Sequence, residues 1–154
     1  MGHIRDKFHV DAPIEAVWDL GADPQRLTEW QTNLVGVKDV TPGKLDYVGA
    51  AYAFVYRFAG RELTGRFEIT KIEKPTYVEY KGTTPGGGTA MFSTRAEPAG
   101  TGTDITFEMD YELPGGFFGD LADKLFMERQ IERDSKHFNQ NFKALCEAKV
   151  LTPA

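Results

Sequence analysis

A carboxylate and an amide, Asp134 and Asn141, lie on a long charged run near the C-terminal end of this 154-residue chain. Three tyrosines, Tyr52, Tyr56 and Tyr80, lie on runs that read as strands. Acid–base chemistry could be built from these groups, because one or two positioned polar side chains in an apolar pocket suffice to move a proton. A carboxylate shielded from water among aromatic rings makes a serviceable base, so Asp134 is the best catalytic candidate. The plainer reading of the same residues is structural. Phenol groups pack in amphipathic cores with their hydroxyls at the rim, and a partly buried Asp usually has a partner, here water or a strand-borne Arg.

Other chemistry is poorly supplied. Gly86-Gly87-Gly88 leads into Thr-Ala-Met and gives neither GxGxxG nor a Walker A sequence. Gly115-Gly116 precedes the long helix and reads as a corner between strand and helix rather than an anion cradle. His3, His9 and His137 are far apart, and Cys146 has no His nearby, so no metal site is expected. With no GxSxG, nucleophilic catalysis has no signature, and Cys146 reads as a small apolar packing residue. No cofactor is expected.

The elements that must position these groups follow from hydrophobic periodicity. HIRDKFHV alternates, with Ile4, Phe8 and Val10 on one side and Arg5, Lys7 and His9 on the other, which predicts a half-buried strand. Pro13 and Glu15 open a short helix with Val17 and Trp18 on its apolar side, and Gly21 ends it. Asp23-Pro24 opens a second short helix that ends near Trp30. Strands are predicted over 32–40, 50–58, 61–73 and 76–82, then in the pair TAMFSTRAE and TDITFEMDYEL, joined by PAGTG. A turn is predicted at Pro42-Gly43. In the last strand Ile105, Phe107, Met109 and Tyr111 share one face. The runs 50–58 and 89–97 leave their facing open, although Tyr52, Phe54, Tyr56 and Phe58 share one parity. Consecutive strands with short turns make an antiparallel meander, so the class is α+β.

On an ideal helix of about 100° per residue, Met127, Ile131, Phe142 and Leu145 fall within about 40° of Phe138. Phe118, Leu121, Ala122 and Leu125 lie on another side, so the apolar stripe changes face near Phe126-Met127. A kink, two segments, or one helix under two surfaces would each explain the change. Asp134 lies about 40° from the stripe's centre, and Ser135 and Asn141 about 60°, which predicts a mixed, solvated space rather than a dry core.

Composition bounds the rest. The apolar fraction is 41%, the charged fraction 27% and the aromatic fraction 12%, with eleven Phe and six Tyr. That describes an ordinary globular domain large enough to bury a core. A net charge of −5 without a basic cluster argues against nucleic acid or anionic lipid as the main partner. One cysteine forms no internal disulfide, and no apolar stretch approaches the roughly 18 residues of a membrane span. No apolar leader is seen, and Asp6 stands where a myristoylation signal wants Ser or Thr. A cytoplasmic location without stable membrane insertion is the expectation; the oligomeric state stays open, a dimer included.

The opening VDAPIEAVW, then DPQRLTEW, FEITKIEKP, EPAGTGTDITF and YELPGGFFGDLADKLF, resembles the START-like, Bet v 1-like (SRPBCC) superfamily. More narrowly, it looks like that superfamily's polyketide cyclase/dehydrase and lipid-transport branch. The similarity runs through nearly the whole chain as one domain, 1–154. It implies a helix-grip fold: a curved seven-stranded antiparallel sheet around the long C-terminal helix, with two short helices after the first strand closing one end. It also implies an internal hydrophobic cavity whose ligands are lipids, polyketides, sterols or other apolar molecules. Lining is expected from Phe54, Phe67, Tyr80, Phe92, Phe107 and Met109 on the sheet. The helix should add Ile131, Asp134, Phe138, Asn141 and Phe142, with Trp30 and Tyr52 at the mouth. The leading reading is binding or carriage of an apolar small molecule. The alternatives are a cyclase or dehydratase using Asp134 or a tyrosine, and a protein-interaction module.

Overall fold

The alternation in HIRDKFHV becomes strand β1 (Gly2–Val10), whose even-numbered residues face inward and whose odd-numbered residues are exposed. The computed structural model describes residues 2–58, 60–83, 88–112 and 121–151. After β1 come helix α1 (Ile14–Gly21), a 3₁₀ turn (Pro24–Arg26) and helix α2 (Leu27–Trp30). Six further strands are β2 (Leu34–Lys38), β3 (Ala51–Phe58), β4 (Arg61–Glu73), β5 (Tyr77–Thr83), β6 (Thr89–Ala99) and β7 (Gly102–Glu112). Helix α3 (Leu121–Leu151) completes the fold. The seven strands form one antiparallel sheet in the order β1-β7-β6-β5-β4-β3-β2, curved around α3 in the helix-grip manner.

Local signals explain the boundaries. Asp23 caps the 3₁₀ turn, accepting from the Gln25 amide at 3.0 Å, and Pro24 fills the position where no N–H is needed. Strand β2 is shorter than the predicted 32–40 run: residues 32–33 form a turn before it, and at its far end Asp39 takes a left-handed φ of 51° and leaves the extended region. Between β2 and β3 the chain bends at Pro42-Gly43, where Gly43 takes a φ of 81°, and then makes a longer excursion before β3 begins. In it Leu45 is only 1% exposed, and its amide donates to the Ala22 carbonyl at 2.8 Å. A polar loop thereby pins one apolar side chain beneath the short helices.

Strand β4 carries a bulge between Ile69 and Lys71, so Ile69 and Ile72 both reach the inner side although they are three residues apart. Opposite Phe67, Gly82 lets β5 approach β4 closely: a Cβ there would collide with the Arg66 carbonyl. Helix α3 is one element through Phe126-Met127, not two segments. Leu125 and Phe126 are exposed there, while Met127 turns to the interior. The Gly115-Gly116 corner read from the sequence, Phe118 and Gly86-Gly87 lie outside the described residues.

Candidate functional site

Cross-strand register builds an aromatic floor on the concave face. Tyr52 of β3 pairs with Phe67 of β4, Tyr80 of β5 with Phe92 of β6, and Phe92 with Met109 of β7. Phe54 stacks on Phe67 with centroids 5.4 Å apart, and Tyr80 stacks on Phe92 at 4.7 Å. Phe67 meets Phe92 edge-on at 4.9 Å. Stacked and edge-to-face pairs at these distances are the favourable aromatic geometries. The open facing of 50–58 is thereby settled, with Tyr52, Phe54 and Tyr56 turned inward; in 89–97 it is Phe92, Thr94 and Ala96.

Above this floor lies a cavity of about 220 Å³, roofed by α3 and closed at one end by α1, α2 and Leu45. Its lining includes Trp30, Tyr52, Phe54, Phe67, Tyr80, Phe92, Phe107, Met109, Ile131, Asp134, Phe138 and Phe142, which the sheet, α2 and α3 bring together. Asn141 is not among them. Its amide donates to the Trp30 carbonyl at 3.2 Å, so it ties α3 to the end of α2 instead of facing the interior. Tyr52 is not a mouth residue either: at 2% exposure it belongs to the buried core with Leu27, Leu45 and Ile69. Its ring sits among those of neighbouring strands because β3 is interior to the sheet, not its edge.

The polar groups on α3 are partnered across the cavity's edges. Asp134, 8% exposed, accepts from the Tyr56 hydroxyl at 2.8 Å and from the Gln130 amide, one helical turn back, at 2.9 Å. Asn33 in turn donates to the Tyr56 oxygen at 3.4 Å. The strand-borne partner expected for Asp134 is therefore a tyrosine, not an arginine. On the helix's other side the Ser135 hydroxyl lies 4.0 Å from the Met109 sulfur, and Asn139 donates to Asp6 at 3.1 Å. Burial pushes the phenols of Tyr52, Tyr56 and Tyr80 well above their usual range; for Tyr56 the nearby Asp134 carboxylate adds to the effect. All three stay neutral across physiological pH. Two polar atoms of the wall are left over: the indole nitrogens of Trp18 and Trp30 are buried without an acceptor among the described residues.

A profile of the family described as polyketide cyclase / dehydrase and lipid transport matches residues 1–147. The chain belongs to this family. Solved structures of the same shape include a START superfamily protein from Mycobacterium smegmatis, with a TM-score of 0.75 at 11% identity, covering 97% of this chain and 99% of that one. TTHA0849 from Thermus thermophilus has a TM-score of 0.71 at 20% identity, covering 94% and 99%. The major latex-like protein 151 from Panax ginseng has a TM-score of 0.64 at 17% identity, covering 93% and 95%. No functionally curated protein matches the sequence. Identities this low establish the fold alone.

Within this polyketide cyclase / dehydrase and lipid transport fold, several wall residues carry no motif that sequence reading could single out. Trp18 lies on the apolar side of α1, a sufficient signal that it packs but not that it meets a cavity. Asp6 had a readable signal: it shares parity with Ile4 and Phe8, a carboxylate on an otherwise apolar strand face. His3 and His9 point outward, paired with Asp110 and Asp104 at 2.7 Å each, away from the interior. No described helix is long and apolar enough to cross a membrane.

Proposed function

We infer that the protein binds or carries a hydrophobic small molecule in the cavity between sheet and α3. The observation that carries this reading is the cavity itself: about 220 Å³, walled by stacked aromatic rings and by the apolar stripe Met127, Ile131, Phe138 and Phe142. Close-packed interiors leave few voids larger than a water molecule, so a space of this size under a helix is a feature of the fold's use. Small-molecule clefts commonly measure about 300–1,000 Å³. The volume here therefore favours compact ring compounds, such as small polyketides, over a full sterol or a long acyl chain. Titrating the protein with naphthalene while following tryptophan fluorescence tests the reading, with native mass spectrometry of the protein as purified. Saturable quenching, or a bound apolar mass, supports it; linear, non-saturating quenching with no bound mass sinks it.

A second reading, acid–base catalysis on an apolar carbonyl compound, draws on one observation: the Tyr56–Asp134 pair in the cavity wall. The raised phenol makes Tyr56 a neutral donor rather than a base, and Asp134 already accepts two hydrogen bonds. Both features suit a structural tie better than a proton shuttle. The enzyme reading requires that Asp134→Asn abolish turnover of a carbonyl substrate while leaving its binding intact.

A further inference from the structure

We propose that the ligand is a neutral ring compound carrying a carbonyl- or ether-type acceptor oxygen, received by the indole N–H groups of Trp18 and Trp30. The inference rests on the ligand-binding reading and gives it a chemistry. Trp18 on α1 and Trp30 on α2 belong to the wall that closes one end of the cavity. Each indole nitrogen is a donor with no acceptor capacity, and each is buried without a partner among the described residues. Buried donors are almost always paired in native proteins. Two orphaned donors, both on residues that line one cavity, are the groups an acceptor bound there would satisfy.

The rest of the lining fixes the charge of that acceptor. Among the described residues no Lys, Arg or His lines the cavity, and the carboxylate that does, Asp134, is held by Tyr56 and Gln130. A carboxylate, sulfonate or phosphate would enter an apolar space without a countercharge and beside a like charge, which is strongly disfavoured. A ketone, ester, lactone or ether oxygen has no such penalty and accepts from an indole as well as water does. Size narrows the class further. An apolar cavity of about 150 Å³ takes up benzene, so 220 Å³ is on the scale of one or two fused rings.

Three probes of one skeleton test this: indane, 1-indanone and indane-2-carboxylate, each titrated by calorimetry. The expected order is indanone tightest, indane about five- to tenfold weaker despite its greater hydrophobicity, and the carboxylate weaker still. The chain has only two tryptophans, so its proton–nitrogen spectrum carries two indole N–H signals. Indanone should shift at least one of them strongly downfield, and indane should not. That spectrum is read on the unaltered protein, so the test survives if Trp18→Phe or Trp30→Phe fails to fold. Where those variants fold, the indanone preference should shrink and indane affinity should hold. Indane binding as tightly as indanone, or the carboxylate binding best, overturns the proposal and leaves the ligand-binding reading standing. If none of the three binds, that reading falls and the proposal with it.

Discussion

Removing the Tyr56 hydroxyl should destabilise the protein through Asp134, and the size of the effect can be worked out from the contacts. Asp134 is buried to within 8% of full enclosure, and each of its oxygens accepts one hydrogen bond, at 2.8 Å from Tyr56 and 2.9 Å from Gln130. A hydrogen bond to a charged group contributes about 1.5–3 kcal/mol, more than a neutral one, because the alternative is a desolvated charge. Tyr56→Phe keeps the ring and its edge-on contact with Phe138 at 6.3 Å, so the loss is confined to the hydroxyl. The contact of that hydroxyl with Asn33, at 3.4 Å, is long and adds little. The expected cost is about 2 kcal/mol, which lowers the melting temperature by roughly 4–8 °C in a domain of this size. Urea denaturation of the wild type, Tyr56→Phe, Asp134→Ala and the double variant gives the coupling directly. It should be at least about 1 kcal/mol. Single effects that simply add, to within about 0.5 kcal/mol, would refute the reasoning and show Asp134 hydrated from the cavity instead of held by β3.

Gly82→Ala should cost about 3 kcal/mol or more by overpacking, because the added methyl meets the Arg66 carbonyl in the middle of the β4–β5 pairing. Gly36→Ala on β2, where nothing lies within 4 Å of the new Cβ, should be neutral within about 1 kcal/mol, and denaturation midpoints compare the two. Leu45→Ala should lose about 2–4 kcal/mol and enlarge the closed end of the cavity, so that a three-ring compound such as phenanthrene gains affinity relative to naphthalene in the fluorescence titration. His9 should titrate above 6.5, held up first by its hydrogen bond to Asp104. Its contribution to stability is thus present below pH 6.5 and fades as pH rises through the folded-state value. Histidine NMR should show the shift, and Asp104→Asn should bring it back down; an unchanged titration would contradict the pairing.

The strands were legible wherever apolar residues kept to one parity. RELTGRFEITKIE occupies the whole of β4, and the inward set of β7 is the one its alternation predicts. Runs with apolar residues at both parities could not be oriented, because in AAYAFVYRF either face would bury well. The sheet decides by register, placing Tyr52 opposite Phe67 and Phe54 opposite Gly65. The excursion that buries Leu45 was hidden because a single Leu in a polar loop carries no period. Asn141 misled for another reason. Helical angle places a residue near the stripe, yet it cannot tell whether a neighbouring helix end stands there to take the side chain, and α2 ends there.

The polar groups flanking the stripe of α3 then acquire a common explanation. Taking Phe138 as the centre, Asp134 and Asn141 lie on one side, at about 40° and 60°, and Ser135 and Asn139 on the other, at about 60° and 100°. The first pair reaches Tyr56 on β3 and the end of α2; the second reaches Met109 on β7 and Asp6 on β1. These contacts tie the helix toward both ends of a sheet whose order runs from β1 to β2. A helix held only by apolar contact would settle onto the aromatic floor and close the void, since burial is non-directional and favours collapse. Hydrogen bonds at both rims fix its height and rotation instead. On this account the polar residues that look misplaced on an apolar stripe are what keeps the cavity open.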